Sequence, residues 1–354
     1  MVDARAALLG EDVVPVEDAR VLLRAGRVVE AGRRDEVHVP SGAESTDEGD
    51  VLLLPGFIDA HVHIGFADPA DVLTGGVTTV RDLGWPPAEI WPLVKRSGAR
   101  DFDGPLIVAA GQMITAPDGY PLKAAWAPAD TGRAVATAED AVAAVDEQAR
   151  RGAVVVKIAL NPPVGPVLSD ECLAAVTSEA HGRGLKVTGH IYGLDQFRRA
   201  LEAGIDELAH MLMSPEVVPD DVLARMADAG VAVVPTLSCR FEDLDVAIDN
   251  TRRFREAGGK VVYGTDLGNE GPGPGIDARE IEAMRRAGMS GIEIVRSATV
   301  DAAAWLGLDP KGAIAPGRDA DLVAVPREAL EEPGLLTEVR AVWRGGRRRA
   351  GRAA

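Results

Sequence analysis

Short apolar runs alternate along the chain with longer segments in which apolar residues recur at helical spacing. One helix pattern, for example, begins with Ser169 as N-cap and ends before Gly182. Eight apolar, mostly β-rich runs indicate strands, and they lie near 57–63, 77–82, 106–110, 154–159, 186–190, 207–210, 231–235 and 261–266. Strands that alternate with helices predict a parallel sheet, and eight such units predict an α/β fold of the (β/α)₈ TIM-like barrel type.

The two ends of the chain carry short strand patterns separated by glycine and charged turns. They exceed what a barrel requires, because a (β/α)₈ barrel needs about 250 residues and the chain has 354. We expect the ends to meet as one small, discontinuous β-sandwich domain. The predicted division is 1–53 and 312–354 for the sandwich, with the barrel at 54–311 between them.

Metal-ligating side chains occur at the ends of several predicted strands. His61 and His63 lie two residues apart, so alternation along a strand places both imidazoles on one face. Two histidines are too few for a catalytic metal site, which needs about three or four protein ligands. Further candidates end the later strands, as the active-site residues of a barrel do, and they are Lys157, His190, His210 and Asp266.

Several motifs together resemble the metal-dependent amidohydrolase superfamily, in its imidazolonepropionase-like and prolidase-like branch. The resemblance covers nearly the whole chain. Its motifs are Pro55-Gly-Phe-Ile-Asp-Ala-His-Val-His63, Gly76-Val-Thr-Thr-Val-Arg-Asp82, Val156-Lys-Ile158, Gly189-His190, Glu207-Leu-Ala-His210, Val234-Pro-Thr-Leu237, Gly264-Thr-Asp266 and Pro316-Gly-Arg-Asp-Ala-Asp-Leu-Val323.

The resemblance implies a role for each candidate ligand. His61 and His63 would bind the more buried of two divalent ions, with zinc as the expected metal. His190 and His210 would bind the second ion. Asp266 would ligate the first ion and transfer protons, and Lys157 would be carboxylated to bridge both. A bare ammonium would be repelled by two dications, whereas a carbamate reverses its charge.

These features predict a hydrolase that cleaves a C–N bond of a small amide, cyclic amide or N-acyl compound through a metal-bridging hydroxide. Alternatives are a prolidase-like dipeptidase or carboxypeptidase, a mononuclear deaminase or imidazolone-type hydrolase, and a non-catalytic interaction protein on the same fold. Two departures disfavour a peptidase. Only about a dozen residues separate His63 from Val77, and Asp118-Gly-Tyr120 stands where peptidase members have Gly-Gly-His.

Four further residues are candidates for substrate binding. Tyr192 follows His190 by two positions and could donate a hydrogen bond to a substrate carbonyl or carboxylate. Tyr120 and Trp126 could line the pocket, and Arg240 after the seventh strand could bind an acid group. Ordinary packing or surface roles are the alternative for each of them.

The composition restricts the partners that we expect. A net charge of −17 disfavours nucleic acid and anionic membranes, and leaves a small-molecule substrate as the expected partner. No apolar run approaches a membrane span, so we expect a cytoplasmic protein, with assembly into a homo-oligomer left open. The basic tail between Gly345 and Arg352 indicates a solvated, frayed terminus, with polyanion binding as the alternative.

Overall fold

The computed structural model of the chain describes residues 1–240 and 242–351. The two ends of the chain pair in one eight-stranded sheet. Its strands are β1 (Val2–Leu9), β2 (Val14–Arg24), β3 (Arg27–Arg33), β4 (Thr46–Asp47), β5 (Val51–Pro55), β16 (Leu322–Pro326), β17 (Ala341–Arg344) and β18 (Arg347–Ala350). Their order in the sheet is β18-β17-β16-β5-β1-β2-β3, with β4 beside β1. We call this the terminal sheet.

The central strands of the terminal sheet, β1, β5, β16 and β17, are buried on both faces, whereas β2, β3 and β18 are at least partly exposed. Along β16, Leu322 and Ala324 pack with Trp343 in one apolar cluster, whereas Val323 and Val325 pack into the main core. Alternate side chains of a strand point to opposite faces, so this strand joins two cores. The strands pair continuously, whereas a sandwich consists of two facing sheets, so the sandwich and its domain boundaries stay predictions.

The basic tail is more ordered than the sequence indicates. Arg347–Ala350 forms β18 and pairs antiparallel with β17, with Arg347 opposite Arg344. The prediction of a frayed terminus was therefore wrong for these four residues, because the ladder with β17 holds their backbone, although most of them remain exposed to solvent. Residues 352–354 lie outside the described part of the chain.

The middle of the chain forms two parallel sheets, and each predicted strand region overlaps a strand, although the last, 261–266, shares only Val261 with its strand Lys260–Val261. β6 (Phe57–Val62), β7 (Val77–Asp82) and β8 (Leu106–Ala109) form one sheet. The second sheet has the order β10-β9-β11-β12-β13-β14-β15. Its strands are β9 (Met113–Thr115), β10 (Gly132–Ala134), β11 (Val155–Leu160), β12 (Lys186–Ile191), β13 (Glu207–Leu208), β14 (Ala232–Val233) and β15 (Lys260–Val261), of which β9 and β10 were not predicted.

Helices follow most of these strands, as expected for an α/β fold. They are α1 (Pro69–Thr74), α2 (Pro87–Ser97), α3 (Ala138–Arg151), α4 (Asp170–Gly182), α5 (Leu194–Glu202), α6 (Asp220–Asp228), α7 (Leu244–Glu256), α8 (Ala278–Arg286), α9 (Gly291–Ser297) and α10 (Val300–Leu306). The Ser169 side chain accepts a hydrogen bond from the Cys172 amide at 3.2 Å, which confirms the predicted N-cap of α4. The helix includes Gly182, one residue more than predicted, and the left-handed turn is made by Gly184 at φ +72°.

Backbone hydrogen bonds outside the strand ladders join the two parallel sheets at both edges. The Val154 amide donates to the Ala109 carbonyl at 3.1 Å, and the Ala60 amide donates to the Tyr263 carbonyl at 3.0 Å. At the second edge the Asp266 amide also donates to the His61 carbonyl at 2.7 Å. Strand pairing among the described residues does not run continuously around a closed barrel, but these bonds hold the ends of the sheets together.

Within residues 1–240 and 242–351, no helix combines the length and the apolar character that crossing a membrane requires.

Candidate metal centre

The six predicted ligands converge from five different strand regions of the parallel sheets. His61 lies in β6 and His63 directly follows it, Lys157 lies in β11 and His190 in β12. Two more follow the short strands β13 and β15, and they are His210 and Asp266. Every one of the six residues is at most 6% exposed. The structure therefore places the residues that the sequence singled out inside one buried cluster.

Asp266 is the centre of the first group of ligand atoms. Its Oδ1 lies 3.1 Å from His61 Nε2 and 3.3 Å from His63 Nε2. Two ligand atoms on one tetrahedral zinc lie about 3.3 Å apart when each bond is about 2.0–2.1 Å. The distances from Asp266 to His61 and to His63 are therefore those expected of ligands on one divalent ion. Ligand atoms of His61, His210 and Asp266 also lie within 4.8 Å of one another.

His190 and His210 form a second group. His190 Nδ1 lies 3.0 Å from His210 Nε2, and the other nitrogens bond to Asn161 Nδ2 at 3.0 Å and to Thr236 Oγ1 at 2.8 Å. The Asn161 amide nitrogen can only donate, so His190 Nε2 accepts and the ring proton of neutral His190 lies on Nδ1, which donates to His210 Nε2. His210 then donates from Nδ1 to Thr236 Oγ1. In this arrangement each ring carries one proton and is neutral. The sequence analysis gave neither residue a role. Thr236 lies in the Val234-Pro-Thr-Leu237 motif, which was a signal for it, whereas neither residue type nor spacing distinguishes Asn161.

Backbone carbonyls orient the first two rings. His61 Nδ1 bonds to the Ala209 carbonyl at 2.7 Å, and His63 Nδ1 bonds to the Gly84 carbonyl at 3.0 Å. Because a carbonyl can only accept, the proton of each ring lies on Nδ1 and the lone pair lies on Nε2. Hydrogen bonds of this type fix the tautomer of metal-binding histidines. Both lone pairs then face Asp266.

Burial keeps most of these imidazoles neutral. It lowers the pKa of His61 to about 4 and that of His190 to about 3, and it holds the pKa of His210 well below its usual value. Burial also lowers the pKa of His63, but Asp266 and Asp82 outweigh it and raise the pKa above 6.5. Neutral imidazole is the form that binds a metal ion.

Lys157 lacks a hydrogen-bond partner for its side chain within residues 1–240 and 242–351. It is 1% exposed, and its Nζ has no hydrogen-bond partner within the described part of the chain. Burial lowers its pKa to about 7, against the opposing effects of Asp266 and Glu207. His61 Nε2 and Asp266 Oδ1 are likewise buried without a hydrogen bond in the described residues. Three converging polar atoms without partners fit a site whose ligand is a metal ion.

Asp59 supports the strands that carry the ligands. Its Oδ1 accepts hydrogen bonds from the amides of His61 and Thr265, each at 3.1 Å, and its Oδ2 accepts from Thr265 Oγ1 at 2.6 Å. One carboxylate therefore links β6 to the segment before Asp266. Close packing there also requires Gly264, because a Cβ at this position would lie 2.4 Å from Val234 Cγ1 and 2.9 Å from the His61 nitrogen.

The backbone turns sharply at Asp266, which has a left-handed φ of +60°. Aspartate tolerates this region better than most residues, although it is uncommon outside glycine. The Asp266 amide, at this turn, donates a 2.7 Å hydrogen bond to the His61 carbonyl. Burial alone would raise the pKa of Asp266, but His61 and His63 outweigh it and hold that pKa well below its usual range. The carboxylate is therefore ionised beside the imidazoles.

Aromatic rings cover the two groups of histidines. Tyr120 stacks on His190 with ring centroids 4.5 Å apart, and Trp126 lies 5.0 Å from His63. Phe66, which the sequence analysis missed, is 46% exposed and lies 6.3 Å from Trp126. It belongs to the abbreviated unit after β6, where only a single turn, Ile64–Phe66, and the short α1 precede β7. The short unit thus leaves an aromatic ring accessible beside the site.

The other two substrate-binding candidates differ in their surroundings. Tyr192 is half-buried directly after β12, and its amide bonds to the Leu160 carbonyl at 2.9 Å. Arg240 is buried, and its guanidinium donates to Asp243 and to the carbonyls of Met211 and Leu212. Because its three nitrogens already bond to protein acceptors, we interpret Arg240 as a residue that holds these loops, instead of the acid-binding residue predicted.

Comparison with known proteins decides the family. Residues 52–349 match the profile of the amidohydrolase family. The chain belongs to the amidohydrolase family. An uncharacterised protein of Mycobacterium tuberculosis is 30% identical over 342 residues, which cover 84% of each chain. The 5-methylthioadenosine/S-adenosylhomocysteine deaminase of Symbiobacterium thermophilum is 26% identical over 92% of this chain and 86% of its own.

The solved structures agree with this assignment at the level of the fold. A crystal structure of a Xaa-Pro dipeptidase with methionine bound in its active site has a TM-score of 0.82, with 23% identity over 99% of both chains. The superfamily predicted from the sequence is therefore confirmed. The chain is a hydrolase that acts on C–N bonds. Its family generally uses metal ions, and the His61, His210 and Asp266 cluster could hold one.

Proposed function

We propose that this amidohydrolase uses two divalent metal ions, with zinc as the expected metal, to hydrolyse the C–N bond of a small amide, cyclic amide or N-acyl compound. The observation that carries the proposal is the buried Nζ of Lys157, which has no partner among the described residues and lies among four histidines and Asp266. A pKa of about 7 makes its neutral amine accessible for reaction with carbon dioxide. A carbamate there would offer two oxygens to two ions.

Each ion would take the ligand atoms that already converge. His61, His63 and Asp266 would hold the first ion, and His190 and His210 would hold the second. The carboxylated Lys157 would bridge the two. Bound ions would polarise the scissile carbonyl and lower the pKa of the attacking water.

The protein groups supply the proton transfer and the positioning. The ionised carboxylate of Asp266 accepts the proton of the attacking water and returns it to the leaving nitrogen. Tyr192, two residues after His190, would donate a hydrogen bond from its hydroxyl to the substrate carbonyl or to a terminal carboxylate. Tyr120 and Trp126, whose rings contact His190 and His63, would line the substrate pocket and exclude water from one side of it.

The substrate is a compact organic molecule. Ordinary dipeptides are disfavoured, because the first unit is short and the Asp118-Gly-Tyr120 loop replaces the peptidase pattern. Screening dipeptides against N-acyl amino acids, lactams, hydantoin-like rings and aryl amides would separate these classes. Efficient cleavage of dipeptides alone, with kcat/KM above about 10⁴ M⁻¹s⁻¹, would contradict the proposal and favour the dipeptidase alternative.

Metal content tests the binuclear site directly. We expect two divalent ions per chain after supplementation with metal and bicarbonate, and a carbamate carbon signal in the NMR spectrum of the folded protein supplied with isotopically labelled bicarbonate. Lys157→Arg retains a long cationic side chain but should not form the bridge, so it serves as the matched variant and should bind less metal. Saturation of the unmodified protein at one ion would overturn the binuclear proposal.

A mononuclear deaminase is the second candidate. The deaminase of Symbiobacterium thermophilum aligns over most of the chain, and the cluster of His61, His210 and Asp266 would suffice for one ion. Such an enzyme would release ammonia from an amino-substituted ring and would not require carboxylated Lys157. One ion per chain together with ammonia release would favour this candidate.

The architecture belongs to the same proposal. We propose that the two parallel sheets form one (β/α)₈ barrel at 54–311, whose edges meet through the bonds of Val154 and Ala60. Residues 1–53 and 312–354 would form the second, discontinuous domain around the terminal sheet. Ligands at the carboxyl ends of different strands are typical of barrel enzymes.

A further inference from the structure

A cavity lies away from the candidate metal centre, between the terminal sheet and the parallel sheets. Its volume is about 430 Å³, and its walls include the β2–β3 turn at Gly26, the β17–β18 turn at Gly345, and the loop before β8. Leu106, at the start of β8, contributes to its lining. The metal-centre residues His61 and His63 lie at the opposite, carboxyl ends of the parallel strands. The two sites are therefore separate.

Positive charge dominates this cavity, although the whole chain is acidic with a net charge of −17. Its acids Asp319 and Asp321 are already engaged, since Lys311 Nζ lies 2.7 Å from both and Arg27 lies 3.0 Å from Asp319. Arg349 pairs with Asp103 at 3.0 Å. Three other arginines line the cavity and make no ion pair within residues 1–240 and 242–351. These are Arg100, Arg344 and Arg347.

Neutral carbonyls hold these three guanidinium groups in place. Arg344 donates to the carbonyls of Ser97 and Gly104, the latter at 2.8 Å. Arg100 donates to the Ala25 carbonyl at 2.8 Å, and Arg347 donates to the Arg100 carbonyl at 2.9 Å. A carbonyl fixes the position of a guanidinium but does not neutralise its charge. Burial lowers the pKa of Arg344 and outweighs the opposing effects of Asp321 and Asp319, both of which already pair with Lys311.

The rest of the cavity is apolar. Leu73, Phe102, Leu106 and Leu308 contribute side chains to the lining, and the Arg344 guanidinium lies 5.9 Å from the centre of the Phe102 ring. A small inorganic anion would leave this apolar surface without contacts. A ligand with both a multiply charged group and a hydrophobic group would satisfy both parts of the cavity.

We propose that this cavity binds a small organic phosphate, with the phosphate group among Arg100, Arg344 and Arg347 and the organic group against the apolar wall. Arginine matches phosphate well, because its planar guanidinium donates two parallel hydrogen bonds and stays charged at all physiological pH values. The site goes beyond the proposed hydrolase activity and does not depend on it. It also assigns a role to the basic tail, whose Arg347 lies at the start of β18.

Calorimetric titration of the metal-loaded protein with phenyl phosphate tests this site. We expect one molecule bound per chain, with an affinity that falls as ionic strength rises, and no binding of phenol. The double variant Arg100→Gln/Arg347→Gln changes two exposed side chains and should weaken binding at least about tenfold. The matched control is Arg151→Gln/Arg198→Gln, which removes two exposed arginines from helices α3 and α5 and should bind as the unmodified protein does.

The outcomes distinguish this cavity from the metal centre. Unchanged binding in the Arg100 and Arg347 variant, or no binding to the unmodified protein, would overturn the proposal. Equal weakening in both double variants would show a general effect of net charge and would also overturn it. Binding that disappears on removal of metal would assign phenyl phosphate to the metal centre instead. Binding that survives metal removal but not the cavity variant would support the proposal.

Discussion

Two neighbouring groups of charged side chains are buried inside the parallel sheets, and they differ in how far the protein satisfies them. In the first group, Arg81 Nη2 lies 2.6 Å from Glu207 Oε1, and its Nε donates to the Ala60 carbonyl at 2.7 Å. Glu207 also accepts from Thr188 and Trp305. In the second group, the Nζ of Lys157 and the Oδ1 of Asp266 lack hydrogen-bond partners in the described residues.

The difference separates a structural group from a binding site. The charges of Arg81 and Glu207 both act on Lys157, so the two groups share one region of the interior. Arg81 outweighs burial and lowers the pKa of Glu207, so the pair stays ionised and complete. A buried polar group without a partner costs about 1–3 kcal/mol, and the second group contains several. Such a cost is expected where a ligand supplies the missing partners.

The largest effect should follow from Asp266→Asn. The amide cannot accept the proton of water, so we expect kcat to fall about 10³-fold while the fold is retained. Steady-state kinetics and circular dichroism on the metal-loaded variant would measure both. Tyr192→Phe is the comparison, since it removes one hydroxyl and should cost less. Activity of the Asp266 variant within about tenfold of the unmodified enzyme, with both metals bound, would assign the proton transfer to another group.

The first group, Arg81 and Glu207, should lose stability when one of the two partners is removed. Arg81→Met leaves the Glu207 carboxylate buried without its counter-charge, so we expect the free energy of unfolding to fall by about 3–5 kcal/mol. Urea denaturation of the metal-depleted protein would measure it. The double variant Arg81→Met/Glu207→Met is the control and should recover much of the loss. A single variant as stable as the parent would show that the pair contributes little to the fold.

The second group, which contains Lys157 and Asp266, should gain stability when its buried cation is removed. In metal-depleted protein, Lys157→Met replaces a buried cation by an apolar chain of similar length, so we expect the free energy of unfolding to rise by about 1–3 kcal/mol. The pKa of Lys157 is about 7 in the folded chain against 10.5 in the unfolded reference. The unfolded state binds more protons between these values, so the stability lost by burying this group decreases as pH rises.

The pH dependence sharpens that comparison. The stability gained by Lys157→Met should be largest below about pH 7 and should shrink as pH rises towards 10.5. Urea denaturation of both proteins across this range would measure the difference. A gain that stays constant with pH would show that packing, and not the charge of Lys157, causes it.

The smallest effect concerns the aromatic cover of the site. Trp126→Ala removes a ring that lies 5.0 Å from His63. Ring contacts contribute about 0.5–1.5 kcal/mol, so KM for an aryl amide should rise by about two- to tenfold. An alkyl amide of similar reactivity is the control and should change less. An equal loss for both substrates would indicate that Trp126 supports the site without contacting the substrate ring.

The extent of sequence-based prediction differs between the fold and the site. The eight strand regions were predictable because β-branched runs and alternating helix patterns are local signals. The strands β9 and β10 were not, since each has only three residues and lies in a loop rich in turn residues. The tail strand β18 was missed because its polar residues carry no apolar alternation, and its order comes from pairing with β17.

Sequence alone determined which ligand types stand at the strand ends, because strand alternation and strand-end placement depend only on local spacing. It placed His61, Lys157 and Asp266 in one candidate centre without any distance. Only the tertiary structure decided which buried atoms have partners. Arg81 and Glu207 are 126 positions apart, and Arg344 reaches the Ser97 carbonyl 247 positions away. Contacts between such distant residues depend on how the strands and turns are arranged in space, and that arrangement leaves no local pattern in the chain.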